Sequence, residues 1–351
     1  MDRPGLLPSP GVSAALGAAL LFGTGTPLAK LILSDVSPWL LAGLFYLGSG
    51  IGLTAVRLVR RAAPVRLARN EARWLAGAIL SGGIVGPVLL MYGLAGMPAS
   101  GASLLLNAEA VFTVLLAWIV FREHIGRRIA FGMIAIIGGV LVLSWPEEVR
   151  FAGVWPVLSV LGACLVWGLD NNLTRKVSLS DATWIASVKG MVAGAINLAL
   201  ALFLGDRLPD LLILVASMSV GFLAYGVSLT LFVIGLRQLG TARTGAYFSV
   251  APFFGVLIAL ATGESVTVRL AAAGMLMAVG VWLQLSERHE HEHQHAAIEH
   301  SHEHSHEEHH QHPHESICAP GVRHAHRHRH ESMAHTHAHY PDAHHRDHSH
   351  Y

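Results

Sequence analysis

Three ionisable side chains, Glu109, Asp170 and Lys189, fall inside long apolar stretches of this chain. A charge at the centre of a bilayer costs about 2.5–3.5 kcal/mol on the insertion scale, so each needs a partner, a wet cavity or a role in moving charge. Asp170 precedes and Lys189 follows the short connection 175–181. At a rise of ~1.5 Å per residue they reach similar depth on antiparallel neighbours. That predicts an ion pair, and a pair that only locks two helices together is the competing account of the same residues. Glu109 has no obvious partner and is the candidate for carrying a proton or touching a cation. Asn107 lies two residues from it, ~200° around a helix, so the two cannot easily face one cavity. Asn171 and Asn172 extend Asp170 to a polar triplet spread over ~200° of helix surface, and at least one member must face protein or water. The candidate transport cavity is therefore Glu109, Asn107, Asp170, Asn171, Asn172 and Lys189.

A second chemistry is concentrated after Ser286, where all but one of the 24 histidines lie. They recur at alternate positions, with His289, His291 and His293 first, then His300, His302, His304 and His306, and His309, His310, His312 and His314. The series resumes at His324, His326, His328 and His330 and ends with His335, His337 and His339. Neutral imidazole ligates Ni, Co, Zn and Cu, and interleaved glutamates concentrate cations, so these residues are the metal candidates. The run is too long and irregular for an affinity tag. It offers no apolar face, and the expectation is a disordered tail over 287–351 that binds Ni, Co or Zn. The body requires no cofactor. Cys164 and Cys318 are too far apart in sequence for a CxxC site and read as bystanders.

The elements that must position the cavity are membrane spans. The chain is 52% hydrophobic and 13% charged, and apolar runs long enough to cross ~30 Å of hydrocarbon follow one another up to about Leu285. Breakers and charges place spans at 11–33, 37–57, 74–95, 101–120, 128–145, 154–174, 182–204, 211–236, 243–262 and 268–285. The first lacks a cleavage site and reads as a span. Arg57, Arg60, Arg61, Arg66, Arg69 and Arg73 fill the second connection, and Arg122, Arg127, Arg128, Arg175, Lys176, Arg237 and Arg243 the later even-numbered ones. By the positive-inside rule these are cytoplasmic, as are both termini. Gly48 with Gly52, Gly82 with Gly86, and Gly190 with Gly194 are small-residue pairs that let helices approach closely. Pro27, Pro87, Pro156 and Pro252 fall within or at the start of spans, where freed carbonyls need partners.

The chain repeats itself. At an offset of 145, Phe22-Gly23 falls on Trp167-Gly168 and Lys30 on Arg175; at 141, Ala110-Val111-Phe112 falls on Ala251-Pro252-Phe253 and Glu123 on Glu264. Five spans per half makes the halves inverted, an arrangement typical of secondary transporters. Lys30 and Arg175 read as anchors at opposite interfaces, and Glu123 and Glu264 as carboxylates complementing the positive ends of helices.

On these residues the sequence resembles the drug/metabolite transporter superfamily, EamA type, over nearly all of residues 11–285. The carrying motifs are Ala18-Ala19-Leu20-Leu21-Phe22-Gly23 with Lys30, Cys164-Leu165-Val166-Trp167-Gly168 with Arg175, and the helix-Glu-Gly signatures at Glu123-Gly132 and Glu264-Gly274. The resemblance implies a ten-helix carrier of the bacterial inner membrane, usually an exporter, with a central cavity and alternating access. The first repeat departs from the pattern at Val111, where the second has Pro252. The histidine-rich tail is similar to those of nickel- and cobalt-resistance permeases.

The expected fold is thus an all-α integral membrane protein of ten helices. Residues 1–145 and 146–286 form two inverted five-helix repeats, followed by the disordered tail 287–351. Walker, nucleophile-elbow and HExxH motifs are missing from the sequence, which argues against an enzyme or a primary pump. The first functional reading is export of nickel, then cobalt. The second is export of an amino acid or other metabolite with a metal-buffering tail, and the third a membrane-tethered metal store or sensor. Lipid and a small cation or metabolite are the expected partners, nucleic acid is not, and a homodimer is the assembly to test for.

Overall fold

The computed structural model describes residues 10–65, 67–121, 127–145, 151–177, 180–239, 244, 247–286, 290–295, 299–304, 324–329 and 333–338. The charged residues Arg66, Arg122, Glu123, Arg150 and Arg243 lie outside them, as do His289, His306, His309, His310, His312, His314, His330 and His339. Two compact units divide the chain, Met1–Glu287 with Asp342–Tyr351, and Arg288–Pro341.

The helical unit begins with α1 (Pro10–Ile32) and α2 (Pro38–Val59), then α3 (Arg69–Ala78) and α4 (Gly86–Ala95), which a π-helical segment Ile79–Val85 joins end to end. Next come α5 (Ala99–Leu105), α6 (Ala108–Phe121), α7 (Arg127–Ser144), α8 (Phe151–Arg175) and α9 (Ala182–Phe203). A second π segment, Phe222–Val227, joins α10 (Leu211–Gly221) to α11 (Ser228–Leu239), and helices Ala251–Ala261 and Val268–Leu285 close the unit. Among the described residues, eight helices are long and apolar enough to cross a membrane, and two shorter apolar helices follow at Ala251–Ala261 and Val268–Gln284. The start of the expected ninth span, near 243, lies largely outside the described residues.

Local chemistry explains the helix ends. Ser37 accepts the Leu40 N–H at 3.2 Å and Pro38 pre-sets the first turn of α2. Asp181 caps α9 through the Trp184 N–H at 3.0 Å, and Thr267 caps the last helix through Leu270 at 3.1 Å. Two helices stop at glycines with positive φ, Gly205 at 98° and Gly263 at 106°, where the next residue donates back to Ala201 and to Ala259. Such a C-terminal turn suits glycine, which has no Cβ to clash there.

The fourth expected span is not one continuous helix. It breaks between α5 and α6, and the Asn107 amide donates to Leu104 O at 3.0 Å and lies 3.8 Å from Met277 Sδ. An asparagine that bonds a nearby carbonyl competes with the helical ladder and ends it. The π-helical segment of the third span has a related cause. Pro87 has no N–H, so the carbonyls four and five residues earlier lose their helical donor. Those carbonyls are Gly83, which accepts from Asn197 Nδ2 at 3.2 Å, and Gly82, which accepts from Tyr46 Oη at 2.7 Å and Trp167 Nε1 at 2.9 Å.

The glycine pairs do lie at close crossings. Gly48 and Gly52 face Met218 and Phe222, Gly82 and Gly86 face Asp170 and Trp167, and Gly194 faces Leu47. A Cβ on Gly190 would stand 2.7 Å from Gly50 Cα and 2.8 Å from Tyr46 O, so α2 and α9 meet backbone to backbone. In lipid, where apolar burial gives no drive, this contact is what holds two helices together. Leu40, Leu41, Phe45, Met91 and Leu105 pack the centre, while Trp74, Trp118, Trp145, Trp155 and Trp282 are exposed, as in the aromatic belts of membrane proteins.

Of the expected disordered tail 287–351, most lies outside the described residues. The described residues form four strands, β1 (Glu290–His295), β2 (Glu299–His304), β3 (His324–Arg329) and β4 (Met333–Ala338), with β1 antiparallel to β4 and β2 to β3. Alternation of histidine with other residues has a period of two, which is the period of a strand.

Candidate functional site

Asp170, Asn171 and Asn172 are consecutive on α8, and each turns to a different neighbour. Asp170 is 8% exposed. Both its carboxylate oxygens accept from Lys189 Nζ at 2.6 Å, and Oδ1 also accepts from Thr174 at 2.8 Å. Lys189 reaches Thr174 Oγ1 at 3.5 Å as well. The carboxylate occupies the space that a side chain on Gly82 would need, which explains a glycine there. On the other side, Asn171 Nδ2 donates to Glu109 Oε1 at 2.8 Å and to Thr113 Oγ1 at 3.2 Å. Asn172 Nδ2 donates to Gly168 O at 2.8 Å and to Thr113 O at 3.1 Å. The spread around the helix is thus used to tie α8 to α6 on one side and to α9 on the other.

Glu109 therefore has a partner, contrary to the sequence reading, and the partner is neutral. The amide satisfies one oxygen without cancelling the charge, so the carboxylate can still take a proton or a cation. Glu109 is half-buried and Asn171 exposed, whereas Asn107 is buried in the break between α5 and α6 and bonds back to Leu104. Asn107 is thereby removed from the Glu109 group. Glu109 also lies within electrostatic reach of Tyr46 and Tyr225.

Aromatic rings continue the site. Tyr225, in the second π segment, meets Tyr46 at 5.3 Å between centroids and Phe22 and Phe45 each at 5.9 Å. Phe248 stacks on Phe22 at 5.4 Å and on Phe232 at 4.9 Å. Sequence reasoning missed Tyr46, Trp167, Tyr225, Thr113 and Thr174. The signal for Tyr46 and Trp167 was available: polar tips in apolar spans need acceptors, and Pro87 frees one.

A second polar group lies at helix ends away from the central site. Lys30 Nζ donates to Leu94 O at 2.7 Å and Ala95 O at 3.1 Å, the last carbonyls of α4, so it caps a helix rather than merely reaching an interface. Glu264 complements a helix start, but that of α5 and not that of the helix after it; its two oxygens accept the Ala99 N–H at 2.7 Å and the Ser100 N–H at 2.9 Å. Burial alone would raise Glu264, but the Ser100 and Ala99 hydrogen bonds and the Lys30 charge hold it below the usual carboxylate value. Asp206 stands just after Gly205 as Glu264 does after Gly263, and accepts a hydrogen bond from Ser37 Oγ.

Among the described residues of the helical body, no three His, Cys, Asp or Glu side chains stand together in a way that would hold a metal ion. The central site instead presents one half-buried carboxylate with a neutral partner, together with amides, hydroxyls and aromatic rings, and a fixed ion pair.

Comparisons with known proteins agree with this architecture. A model of the EamA-like transporter family matches twice, over residues 9–145 and 154–286, and the chain belongs to that family. It is a multi-pass membrane transporter. An "Uncharacterized transporter" of Methanothermobacter thermautotrophicus is 28% identical over 77% of this chain and 84% of its own. A "Probable amino-acid metabolite efflux pump" of Salmonella typhimurium is 28% identical over 52% and 66%. A "Probable 4-amino-4-deoxy-L-arabinose-phosphoundecaprenol flippase subunit" of Pseudomonas fluorescens is 38% identical over 30% of this chain and 91% of its own. One solved crystal structure superposes with a TM-score of 0.60 at 20% identity, over 77% of this chain and 95% of the other, a likeness of fold.

Proposed function

We propose that the chain is a secondary exporter of a bacterial inner membrane, with ten spans in two inverted repeats (1–145 and 146–286) and both termini in the cytoplasm. Its cargo is a small metabolite bearing an amino group. The observation that carries this reading is the half-buried Glu109 carboxylate, held by neutral Asn171 and within electrostatic reach of Tyr46 and Tyr225. A carboxylate with aromatic rings in the same site suits an ammonium group. Asp170 cannot serve the same purpose while both its oxygens are held by Lys189. The Salmonella relative, named for an amino-acid metabolite, and the Pseudomonas relative, named for an amino sugar, support the same class of cargo.

A second reading, export of nickel and then cobalt, is favoured by the histidine tail. Everted vesicles separate the two. With the full chain and with a chain ending at Arg288, we expect accumulation of radiolabelled amino acids under a proton gradient in both cases. Amino-acid uptake equal to that of empty vesicles, together with nickel uptake by the shortened chain, would overturn the metabolite reading in favour of the metal one.

A further inference from the structure

The two π-helical segments stand at matching places in the two halves of the sequence. Ile79 and Phe222 begin them at an offset of 143, between the offsets of 145 and 141 that relate the flanking spans, and Gly83 then falls on Gly226. At the same offset Gly82 falls on Tyr225, and at 145 Gly25 and Leu44 fall on Asp170 and Lys189. The contacts repeat as well. Trp167 of α8 bonds Gly82 O, and Phe22, its counterpart in α1, meets the Tyr225 ring edge to face at 5.9 Å. Beside the first segment, the Asp170 carboxylate fills the space next to Gly82 and is locked by Lys189. Beside the second, Gly25 brings α1 so close that a Cβ there would stand 2.8 Å from Ala224 Cβ. One half therefore closes this position with a fixed ion pair, and the other places a tyrosine in it.

Phe22, Phe45 and Tyr46 hold the Tyr225 ring from three helix faces. Its hydroxyl is not held. Tyr225 is half-buried, yet its hydroxyl bonds to none of the described residues and is not fully enclosed by protein. The Tyr46 hydroxyl, by contrast, is committed to Gly82 O at 2.7 Å. A phenol donor left without an acceptor among apolar rings is costly, so the Tyr225 hydroxyl has a reason to be there only if a ligand takes it. π segments are frequent at functional sites, and the Glu109 carboxylate is within electrostatic reach of this same residue. We propose that Tyr225 is a specificity-determining residue of the central site, donating its hydroxyl to the carboxylate of a cargo whose ammonium group Glu109 holds. The proposal rests on the metabolite reading above. A neutral phenol suits the task, because a lysine or arginine at this place would pair with Glu109 and compete with the cargo's own ammonium group. A site built to hydrogen-bond one group of its ligand discriminates strongly against the analogue that lacks it. The pair Glu109 and Tyr225 therefore selects amino acids over the corresponding simple amines.

The test uses Tyr225→Phe, which keeps the ring and its packing and removes only the hydroxyl. The full chain is placed in proteoliposomes, and the radiolabelled amino acid that wild type carries fastest is the probe. The competitor is the amine left when the carboxylate of that amino acid is removed. In the variant the KM for the amino acid should rise about tenfold or more, the loss expected for a hydrogen bond to a charged group, with little change in kcat. Inhibition by the amine should be the same in both proteins, since it never used the hydroxyl. A purely structural role would instead weaken amino acid and amine together and lower the melting temperature. An unchanged KM, or equal weakening of both ligands, would overturn the proposal while leaving the metabolite reading in place. Failure of wild type to carry any amino acid would overturn that reading, and the proposal with it.

Discussion

Neutralising one member of the Asp170–Lys189 pair leaves the other charged at depth in the membrane. Asp170 is held at 2.6 Å through both oxygens, and the two side chains are 11% and 13% exposed. Loss of one partner of a buried pair costs about 3–5 kcal/mol, whereas replacing both is close to neutral. Thr174 remains as a partner for Asp170→Asn but supplies no charge. Each of Asp170→Asn and Lys189→Gln should therefore lower stability by about 3–5 kcal/mol, and the double variant by only about 1 kcal/mol. At about 2 °C per kcal/mol for a chain of this size, the single variants should melt roughly 6–10 °C below wild type. Thermal unfolding in detergent measures all four proteins. A double variant as destabilised as the sum of the singles would refute the pairing energetics. A double variant that is stable yet inactive would show that the pair also acts in transport.

Two further outcomes follow from the packing and the Glu264 cap of α5. Gly190→Ala puts a methyl group against the backbone of Gly50 and Tyr46 and should destabilise by about 1–3 kcal/mol, whereas Gly138→Ala meets only Leu276 Cδ1 at 4.0 Å and should be tolerated; equal melting temperatures would contradict the crossing. Glu264 is held below the usual carboxylate value, so its contribution is complete above an unfolded pKa of about 4.3 and is lost as pH falls through the lower folded value. The melting difference between wild type and Glu264→Gln should accordingly be constant from pH 7 to 5 and vanish only in stronger acid. A difference that disappears by pH 5 would mean that the α5 cap does not hold the charged form.

What the sequence disclosed and what it hid divide along physical lines. Asp170 and Lys189 could be paired because depth on antiparallel helices follows from rise per residue, and the glycine pairs because lipid rewards close backbone approach. The partner of Glu109 was not legible, since Asn171 lies 62 positions away and only the α6–α8 packing brings it near. The break at Asn107 and the π segments were hidden because apolar composition continues through them unchanged. Pro87 announced a bend, but its form depended on Tyr46, Trp167 and Asn197 arriving from three other helices. In the tail the sequence carries two opposed signals, the lack of an apolar face and a period-two alternation of histidine, and most of it lies outside the described residues.

The central claim is that Glu109 is the group through which cargo or a coupling proton crosses the membrane, and flux through purified protein in proteoliposomes tests it most directly. Glu109→Gln keeps the shape of the side chain and a hydrogen-bonding partner for Asn171, so the variant should insert and melt like wild type. The account predicts that gradient-driven movement of radiolabelled amino acids falls to the level of empty liposomes in this variant, whereas Asn107→Ala, which touches Leu104 and not Glu109, retains flux. Wild-type flux through Glu109→Gln would contradict it.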